Sequence, residues 1–447
     1  MFSRRSLSLI LVLCVAAVGT TSCQLTRAGL RCRTTDFAED GTYVLRCAGG
    51  RWERAATKAQ VATLIINILR ARTTSTTTTV SASTSTLPTT LAPPAPTVAQ
   101  VEAGTDFSCA RRSDGVVKCW GQNTSGQLGD GTNADRSTAV TVSNLPDAVG
   151  LSLGTGHACA LRSEGAVVCW GNNSDGQLGD GTTSASSIPV SVVGITDAVA
   201  VAAGSVHSCA VLSSGSVRCW GQNVWGQIGD GTTNQRLAPT AASGIIDAVA
   251  VSAGSAHTCA VLSNGAIKCW GGGTSGQIGD GFTTSRLVPT TVIGISTGRQ
   301  VTTGAASTCA VLADGSAKCW GSGAGGQLGN GLSVSSYTPV QVSGVTSGAA
   351  ETSIAYDHAC VVLSSGSAKC WGYNGFGDLG DGTSTSSPSP VSVSGLTDAV
   401  DIDAGDSHTC AARGANGVVC WGFNSHGQVG DGTATTRYNP TTVLGVL

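Results

Sequence analysis

The sequence predicts an all-β protein whose main domain is a seven-bladed β-propeller. A Cys-Trp pair recurs every 50 residues, with one step of 51, and a fixed period of this size is typical of repeat architectures. Each period contains four short apolar stretches separated by turns of Gly, Asn, Asp and Ser. No helical period is seen between residues 98 and 447. The marker tryptophans are Trp120, Trp170, Trp220, Trp270, Trp320, Trp371 and Trp421.

The first 22 residues have the pattern of a signal peptide. Arg4 and Arg5 precede an apolar run over residues 7–18, which is too short to cross a bilayer as a helix. Small residues follow this run. We therefore expect a bacterial protein that is secreted or held at the cell surface, exported by the general or the twin-arginine route.

Cys23 is the candidate for lipidation and hence for a lipid anchor. It directly follows Thr20-Thr21-Ser22, although bacterial lipoproteins usually carry an aliphatic residue where Thr20 stands. Both a lipidated and a free form remain open from the sequence.

Residues 23–72 are predicted to form a small separate piece. Cys32 and Cys47 flank a turn followed by a strand at residues 40–45, and we predict that they close a hairpin with a disulfide. Apolar residues spaced i, i+3, i+4 and i+7 predict an amphipathic helix over residues 55–72. The piece is either the base of a stalk or a binding element.

Residues 73–97 are almost entirely Thr, Ser, Ala and Pro. Such a composition buries too little apolar surface to fold, and its prolines stiffen the chain. We interpret this stretch as an exposed linker that precedes the propeller at residues 98–447.

One repeat illustrates the predicted strands. They fall at residues 197–202, 206–212 and 216–220, and the fourth strand is represented by residues 188–192 of the copy before. The last copy stops at Leu447 without a following first-type strand, and such a strand stands at residues 98–102 instead. We therefore expect one blade to combine both ends and to close the ring, which removes exposed sheet edges.

Every repeat carries two cysteines ten residues apart, on either side of a short turn. A three-residue hairpin loop would put the two directly opposite each other, within disulfide distance. Zinc is the rival use, but no repeat has the close Cys-x-x-Cys pair that zinc sites usually show. The predicted pairs are Cys109–Cys119, Cys159–Cys169, Cys209–Cys219, Cys259–Cys269, Cys309–Cys319, Cys360–Cys370 and Cys410–Cys420.

Residues that recur in most copies are expected to serve the fold. The tryptophans should pack between blades, and the repeated histidines should form hydrogen bonds between blades. Phe107 and Ser307 replace the histidine in two copies. The histidines are His157, His207, His257, His358 and His408.

Side chains that differ between copies are better candidates for binding a partner, because they lie in loops and belong to residue types enriched at interfaces. The first group contains aromatic and imidazole side chains: Trp225, Tyr373, Phe376, Phe423, His426 and Tyr438. The second group contains arginines that recur sixteen residues after the marker tryptophan: Arg136, Arg236, Arg286 and Arg437.

Each repeat follows one motif: Ala-Gly-x-x-His-(Ser/Thr)-Cys-Ala-x-Leu, then Cys-Trp-Gly-x-Asn, then Gly-Gln-Leu-Gly-Asp-Gly-Thr. This motif resembles the repeat of the regulator of chromosome condensation family and is similar to that of the alpha-tubulin suppressor proteins of that superfamily. The resemblance covers all seven copies and implies the family's seven-bladed propeller. The family's founding member acts on a nuclear GTPase through an insertion in one blade. The even length of these blades leaves no room for one, so we expect no GTPase partner.

The functional expectation is an exported, non-enzymatic and monomeric propeller that binds a protein or a surface glycan and needs no cofactor. The net charge of −2 gives no reason to expect nucleic acid. One alternative is a polysaccharide lyase or hydrolase, for which the sequence offers only scattered carboxylates; a cell-surface structural module is another. The carboxylates are Glu102, Glu164, Glu351, Asp401, Asp403 and Asp406.

Overall fold

The computed structural model describes residues 37–39, 43–48, 51–57 and 95–447. The chain divides into one unit that ends at Ala92 and a second that runs from Pro93 to Leu447. In the parts of the chain that are described, no helix is both long and apolar enough to cross a membrane.

The first unit contains a three-stranded antiparallel sheet in the order β1-β2-β3. Its strands are β1 (Phe37–Glu39), β2 (Tyr43–Ala48) and β3 (Arg51–Thr57). The predicted strand near residue 43 lies within β2. The helix predicted from Ala55 is wrong for its first three residues, because Ala56 and Thr57 pair with β2 in the sheet.

Several predictions for the region before the propeller fall outside the described residues. These are the signal peptide over residues 1–22, lipidation of Cys23, the Cys32–Cys47 disulfide, the rest of the helix to residue 72 and most of the linker over residues 73–97.

The second unit is the predicted seven-bladed propeller, with seven four-stranded antiparallel sheets. Each sheet takes its strands from one continuous stretch of chain, in sequence order from the centre of the ring outwards. The inner strands are β4 (Val98–Ala103), β8 (Ala148–Leu153), β12 (Ala198–Ala203), β16 (Ala248–Ala253), β20 (Gly298–Thr303), β24 (Ala349–Ile354) and β28 (Asp401–Ala404). The second strands are β5 (Phe107–Arg112), β9 (His157–Arg162), β13 (His207–Leu212), β17 (His257–Leu262), β21 (Ser307–Leu312), β25 (His358–Leu363) and β29 (His408–Ala412).

The other two strands of each blade lie towards the outside. The third strands are β6 (Val117–Gly121), β10 (Val167–Gly171), β14 (Val217–Gly221), β18 (Ile267–Gly271), β22 (Ala317–Gly321), β26 (Ala368–Gly372) and β30 (Val418–Gly422). The outer strands are β7 (Arg136–Thr141), β11 (Ser186–Ser191), β15 (Arg236–Ala241), β19 (Arg286–Thr291), β23 (Ser336–Gln341), β27 (Ser387–Ser392) and β31 (Arg437–Thr442). A short 3₁₀ helix spans Gly414–Asn416.

The expected blade built from both chain ends is wrong. Strand β4 pairs with β5, and β28 pairs with β29, so the first and last blades are each complete in themselves. The inner strand of a repeat therefore pairs with the strand that follows it rather than with the strand before it.

The ring still closes between the first and last blades, through side chains and through the chain end. The backbone N–H of Val101 donates to a carboxylate oxygen of Asp401 at 2.7 Å, and that of Ala103 donates to Asp403 at 2.8 Å. The carbonyl of Leu444 accepts from the N–H of Ala139 in β7 at 3.0 Å.

The cysteine pairs sit in the hairpin between the second and third strands. In blade 3 the hairpin loop is Ser213-Ser214-Gly215, and the N–H of Leu212 donates to the carbonyl of Ser216. Hydrogen-bonded and non-hydrogen-bonded pairs alternate along the hairpin, so the third pair from Leu212 and Ser216 is a non-hydrogen-bonded one. That pair is Cys209 and Cys219, which lie directly opposite each other.

All seven predicted disulfides of the propeller are present. Their Cα atoms lie 4.0 to 4.1 Å apart, and the zinc alternative falls because the sulfurs are bonded to each other. Seven disulfides indicate an oxidising environment.

The core lies between neighbouring blades, as expected for the repeated tryptophans. Each marker tryptophan is fully buried. The indole N–H of Trp220 donates at 2.9 Å to the carbonyl of Gln177 in the blade before, and the other six make the equivalent bond at 2.8 to 2.9 Å. The tryptophan prediction is therefore confirmed.

The five histidines form the predicted hydrogen bonds between blades. His157 Nε2 lies 2.8 Å from the hydroxyl of Ser208 in the next blade, and that hydroxyl donates to the carbonyl of Gln177. Since the hydroxyl proton is used there, the imidazole must donate, which fixes a proton on Nε2. Burial lowers the pKa of His157 to about 3 and that of His207 to about 4, in agreement with neutral rings.

The two interfaces without histidine lack the hydroxyl as well. At one of them Phe107 replaces the histidine and Ala158 replaces the hydroxyl residue. At the other, Ser307 replaces the histidine and Ala359 replaces the hydroxyl residue. The histidine N–H and its hydroxyl partner are thus lost together at both interfaces. At the second one the hydroxyl of Ser307 is itself buried without a hydrogen-bond partner.

Candidate binding face

The inner strands of all seven blades surround a central channel with a cavity of about 310 Å³. The side chains that line it differ round the ring. Blades 2 to 4 contribute mainly Gly, Ala, Ser, Val and Leu, whereas blades 6, 7 and 1 contribute carboxylates.

Five of the six scattered carboxylates line this channel: Asp406 lies in the turn after β28, and the other four converge on the inner strands. Glu102 comes from blade 1, Glu351 from blade 6, and Asp401 and Asp403 from blade 7. The serine hydroxyl of Ser353 donates to Asp403 at 2.5 Å. Among residues 95–447, no group of three or more His, Cys, Asp or Glu side chains is placed to hold a metal ion.

The channel carboxylates interact strongly with one another. Burial, and then the charges of Asp403 and Asp401, raises the pKa of Glu102 well above its usual range. Burial and the adjacent Asp401 raise the pKa of Glu351 to about 11, so Glu351 is protonated at neutral pH. Burial raises the pKa of Asp403 to about 7.

The sequence analysis treated these carboxylates as scattered, but their position within the repeat would have revealed the cluster. Glu351 and Asp401 occupy the same position in neighbouring repeats, and Glu102 and Asp403 also share a position. Inner-strand residues at equivalent positions face the same channel, so like charges there must meet.

One end of the propeller carries most of the aromatic residues predicted to bind a partner. His207 opposes Gly221 in the hairpin, so the turn before each second strand and the loop after each third strand lie at the same end of the blade. We call this end the loop face.

An aromatic cluster on the loop face joins blades 6 and 7. The ring centroids of Tyr373 and Phe376 lie 6.3 Å apart in an edge-on arrangement, and those of Phe376 and Phe423 lie 4.9 Å apart. Tyr373 is 42% exposed and Phe376 is 38% exposed. The structure thus brings together three residues that the sequence separates by up to 50 positions.

Three other members of the predicted set lie beyond this cluster. Tyr438 lies against the backbone of Gly377, which directly follows Phe376, since a Cβ atom added at Gly377 would collide with its ring. The Nδ1 atom of His426 lies 3.3 Å from Asp135 of blade 1. Trp225 is 47% exposed in the corresponding loop of blade 3.

The four recurring arginines form ion pairs within their own blades. Each guanidinium contacts an aspartate six residues earlier at no more than 3.2 Å, so the loop already uses this charge. The pairs are Arg136–Asp130, Arg236–Asp230, Arg286–Asp280 and Arg437–Asp431.

The loop face is acidic near the aromatic cluster. The N–H of Tyr373 donates to the carbonyl of Asp357 at 2.8 Å, which places that turn beside the cluster. Asp406 lies in the equivalent turn of blade 7, and burial, with the charges of Asp106 and Asp357, raises its pKa. Aromatic surface and negative charge thus occur side by side.

Comparisons with solved structures show the fold. The chain resembles human WBSCR16 with 24% identity and a TM-score of 0.63, over 70% of this chain and 85% of that chain. It resembles yeast RCC1 (Prp20) in the Kap60-bound structure with 18% identity and a TM-score of 0.65, over 81% and 91% of the two chains. No curated protein sequence matches the chain.

Comparisons with family sequence models identify the repeats. The RCC1-like domain matches residues 47–355, and the regulator of chromosome condensation (RCC1) repeat matches residues 365–412 and 399–428. The resemblance recognised in the repeat motif is confirmed. Since the first match alone spans well over half of the sequence, the chain belongs to the RCC1-like domain family.

Proposed function

We propose that this chain is an exported, non-enzymatic binding protein that holds a protein partner on the loop face of blades 6 and 7. The observation that carries this proposal is the aromatic cluster of Tyr373, Phe376 and Phe423. The other blades, which fold in the same way, have small or polar residues at most of these positions. The repeat itself therefore does not require the exposed rings, and exposed aromatics are enriched at binding hot spots.

Two further observations support the class of function and the compartment. The yeast propeller with the same fold was solved as a complex with the protein Kap60. The seven disulfides together with the signal-peptide pattern of residues 1–22 support export. Export can be tested by fractionating cells that express the chain with and without residues 1–22. We expect the shortened protein to be absent from the envelope and the medium.

Affinity capture from the envelope and medium of the source cells tests the binding face. The full chain is used as bait beside a triple variant, Tyr373→Gln, Phe376→Ser and Phe423→Gln. These substitutions install residues that blade 1 carries at the same positions, so the fold should be kept. The matched control is Trp225→Ser, which makes the same kind of change in blade 3.

We expect a specific protein to be retained by the wild type and by the Trp225→Ser control and to be lost from the triple variant. Equal retention by all three would contradict the proposed face. Capture of a surface glycan would change the class of partner, and no specific capture would favour a structural module.

A second candidate function rests on the channel carboxylates. A protonated Glu351 beside Asp401 supplies a general acid in a channel lined by further carboxylates. Hydrolysis or β-elimination of any polysaccharide in a panel, abolished by Glu351→Gln, would support this reading. No turnover by the wild type would remove it.

A further inference from the structure

One position of the repeat differs in blade 6 in a way that bears on ligand chemistry. Six blades carry glutamine two residues before the Gly-Asp/Asn-Gly turn, whereas blade 6 carries Asp378. The backbone carbonyl of Asp378 keeps the usual role and accepts from Trp421 in the next blade. Only the side chain has changed its chemistry.

In the other blades, the glutamine amide group at this position has hydrogen-bond partners. In blade 1 the amide of Gln127 donates to the side chain of Gln122, and in blade 7 that of Gln428 donates to Asp106 of the next blade. In blade 6 these two partner positions are held by Tyr373 and by Ser407 of blade 7. Asp378 is one methylene shorter than glutamine and has no N–H to donate.

Asp378 is therefore a buried carboxyl with an unused oxygen. Its side chain is fully buried, and Oδ1 has no hydrogen-bond partner. The other oxygen, Oδ2, accepts from the N–H of Phe376 at 3.2 Å. Burial raises the pKa of Asp378 to about 7, and a buried polar atom without a partner costs about 1–3 kcal/mol.

The aromatic cluster lies next to this carboxyl. Phe376 stands two residues before Asp378, and its ring packs against Phe423 of blade 7, which is the blade that holds Ser407. Phe376 is partly exposed, so its ring can rotate outwards without leaving a packed core. Because Oδ1 is buried, a ligand requires such a rotation to reach it.

A cation fits this arrangement better than a neutral or anionic group. It would supply the donor that Oδ1 lacks, and the faces of the two phenylalanine rings attract positive charge. Asp357 and Asp406 on the same face add negative charge around the entrance. A carboxylate or phosphate would be repelled.

We infer that Asp378, Phe376 and Phe423 form a recess that takes the ammonium or guanidinium end of a lysine or arginine side chain of the partner. This inference rests on the proposed binding face and names the chemistry that the partner must present there.

The test uses the full chain labelled with fluorophenylalanine and followed by ¹⁹F NMR. Nα-acetyl-lysine N-methylamide is the probe, and the norleucine and glutamate analogues are controls of similar length. Phe107 is fully buried in the interface between blades 1 and 2 and serves as an internal reference. We expect the lysine probe to shift the Phe376 and Phe423 resonances and the two control compounds to leave them unchanged.

Two variants isolate the carboxyl. Asp378→Gln installs the residue of the other six blades, and Asp378→Asn keeps the shape without the charge. Both should bind the lysine probe at least about ten-fold more weakly, because they lose a charge-assisted bond. If neither variant folds, Phe376→Ser changes a partly exposed side chain and should weaken the probe as well.

Binding of the norleucine analogue as strong as that of lysine, or unchanged lysine binding in Asp378→Gln, would overturn the inference. The two proposals can fail separately. If the triple aromatic variant loses the captured partner but Asp378→Gln retains it fully, the binding face stands and the cation recess does not. If the lysine probe binds as expected but no protein is captured, the recess stands and the proposed function fails.

Discussion

At the scale of single residues, the repeated histidine and its hydroxyl partner are present together at five interfaces between blades and replaced together at the other two. Five interfaces have a histidine donating to a hydroxyl. The interface of Phe107 and Ala158 has neither group, whereas that of Ser307 and Ala359 keeps one serine hydroxyl, which is buried without a partner. A lone histidine or a lone hydroxyl would leave a buried polar group unpaired, which is more damaging than losing both. The chain itself therefore contains the double substitution.

A double-mutant cycle in blades 3 and 4 should reproduce this coupling. His207→Phe and Thr258→Ala together imitate Phe107 and Ala158. Each single change should destabilise the protein by about 1–3 kcal/mol, and the double change should cost about 1 kcal/mol less than the sum. Denaturant unfolding of the four proteins measures the coupling.

The control combines His207→Phe with Thr308→Ala, since the hydroxyl of Thr308 belongs to the bond with His257. These two changes affect different interfaces and should be additive. Equal coupling in the two cycles would show that the effect does not arise from the hydrogen bond.

Glu351 provides a pH-dependent prediction at the same scale. Its native pKa of about 11 lies above the value of about 4.3 expected in the unfolded chain. A raised carboxyl pKa means that its stabilising contribution is complete below the unfolded value and is lost as the pH rises towards the native one. Glutamine carries no such proton, so Glu351→Gln avoids this loss.

We therefore expect Glu351→Gln to be more stable than the wild type at pH 8, by about 2–5 kcal/mol, and the difference to shrink towards pH 5. Thermal unfolding of both proteins across this range provides the measurement. A difference that is independent of pH, or a less stable variant at pH 8, would rule out a protonated Glu351.

At the scale of the element, the unit of the fold is the hairpin of second and third strands with its own disulfide. The three-residue loop fixes the register, and the register places the cysteines opposite each other. A slip of one residue would turn the two side chains to opposite faces of the sheet. The disulfide and the turn thus specify the same pairing.

Replacing both cysteines of one hairpin, Cys209→Ala with Cys219→Ala, should lower the free energy of unfolding by about 2–3 kcal/mol. The closed loop has about ten residues, and the loss of its constraint on the unfolded chain gives this magnitude. Unfolding under non-reducing conditions measures it. Mass spectrometry after thiol labelling is the companion experiment, and labelling of the fourteen propeller cysteines in the native wild type would contradict the bonded state.

At the scale of the whole molecule, the ring is closed by contacts that join residues some 300 positions apart. Val446 is 2% exposed and belongs to one cluster with Val98 and Trp120 of blade 1 and Cys410 of blade 7. Closure therefore depends on burial between two complete blades rather than on backbone pairing within a shared one.

Val446→Asp should test this closure, because it places a charge in the joint between the first and last blades. We expect a loss of more than about 3 kcal/mol, whereas the control Leu444→Asp, whose side chain is 48% exposed, should change stability by less than about 0.5 kcal/mol. Thermal unfolding and limited proteolysis report the effect. Equal behaviour of the two variants would show that the ring does not depend on this joint.

The sequence predicted the strands of the propeller and its seven disulfides because both follow from local patterns. Turn residues bound the strands, and the spacing of ten residues round a short turn is a property of one hairpin. The helix predicted from Ala55 was wrong in its first turn for the opposite reason. There, pairing with β2 in the sheet outweighed a local apolar pattern.

The candidate sites divide in the same way. The sequence picked out Tyr373, Phe376 and Phe423 as unusual for their positions in the repeat, but only the packing of blade 6 against blade 7 brings their rings together. It did not single out Asp378, whose importance depends on two neighbours from different blades.

By itself, the sequence determined the repeat, its four strands, its cysteine pairs and the family, because each of these depends on a pattern contained in one repeat of about 50 residues. Only the tertiary structure decided that every blade is continuous, that Glu102, Glu351, Asp401 and Asp403 share one channel, and that a buried carboxyl lies beside exposed aromatic rings. The physical reason is that closing the ring brings together inner strands and loops of blades that are distant in the chain, and no local pattern encodes which of their side chains will meet.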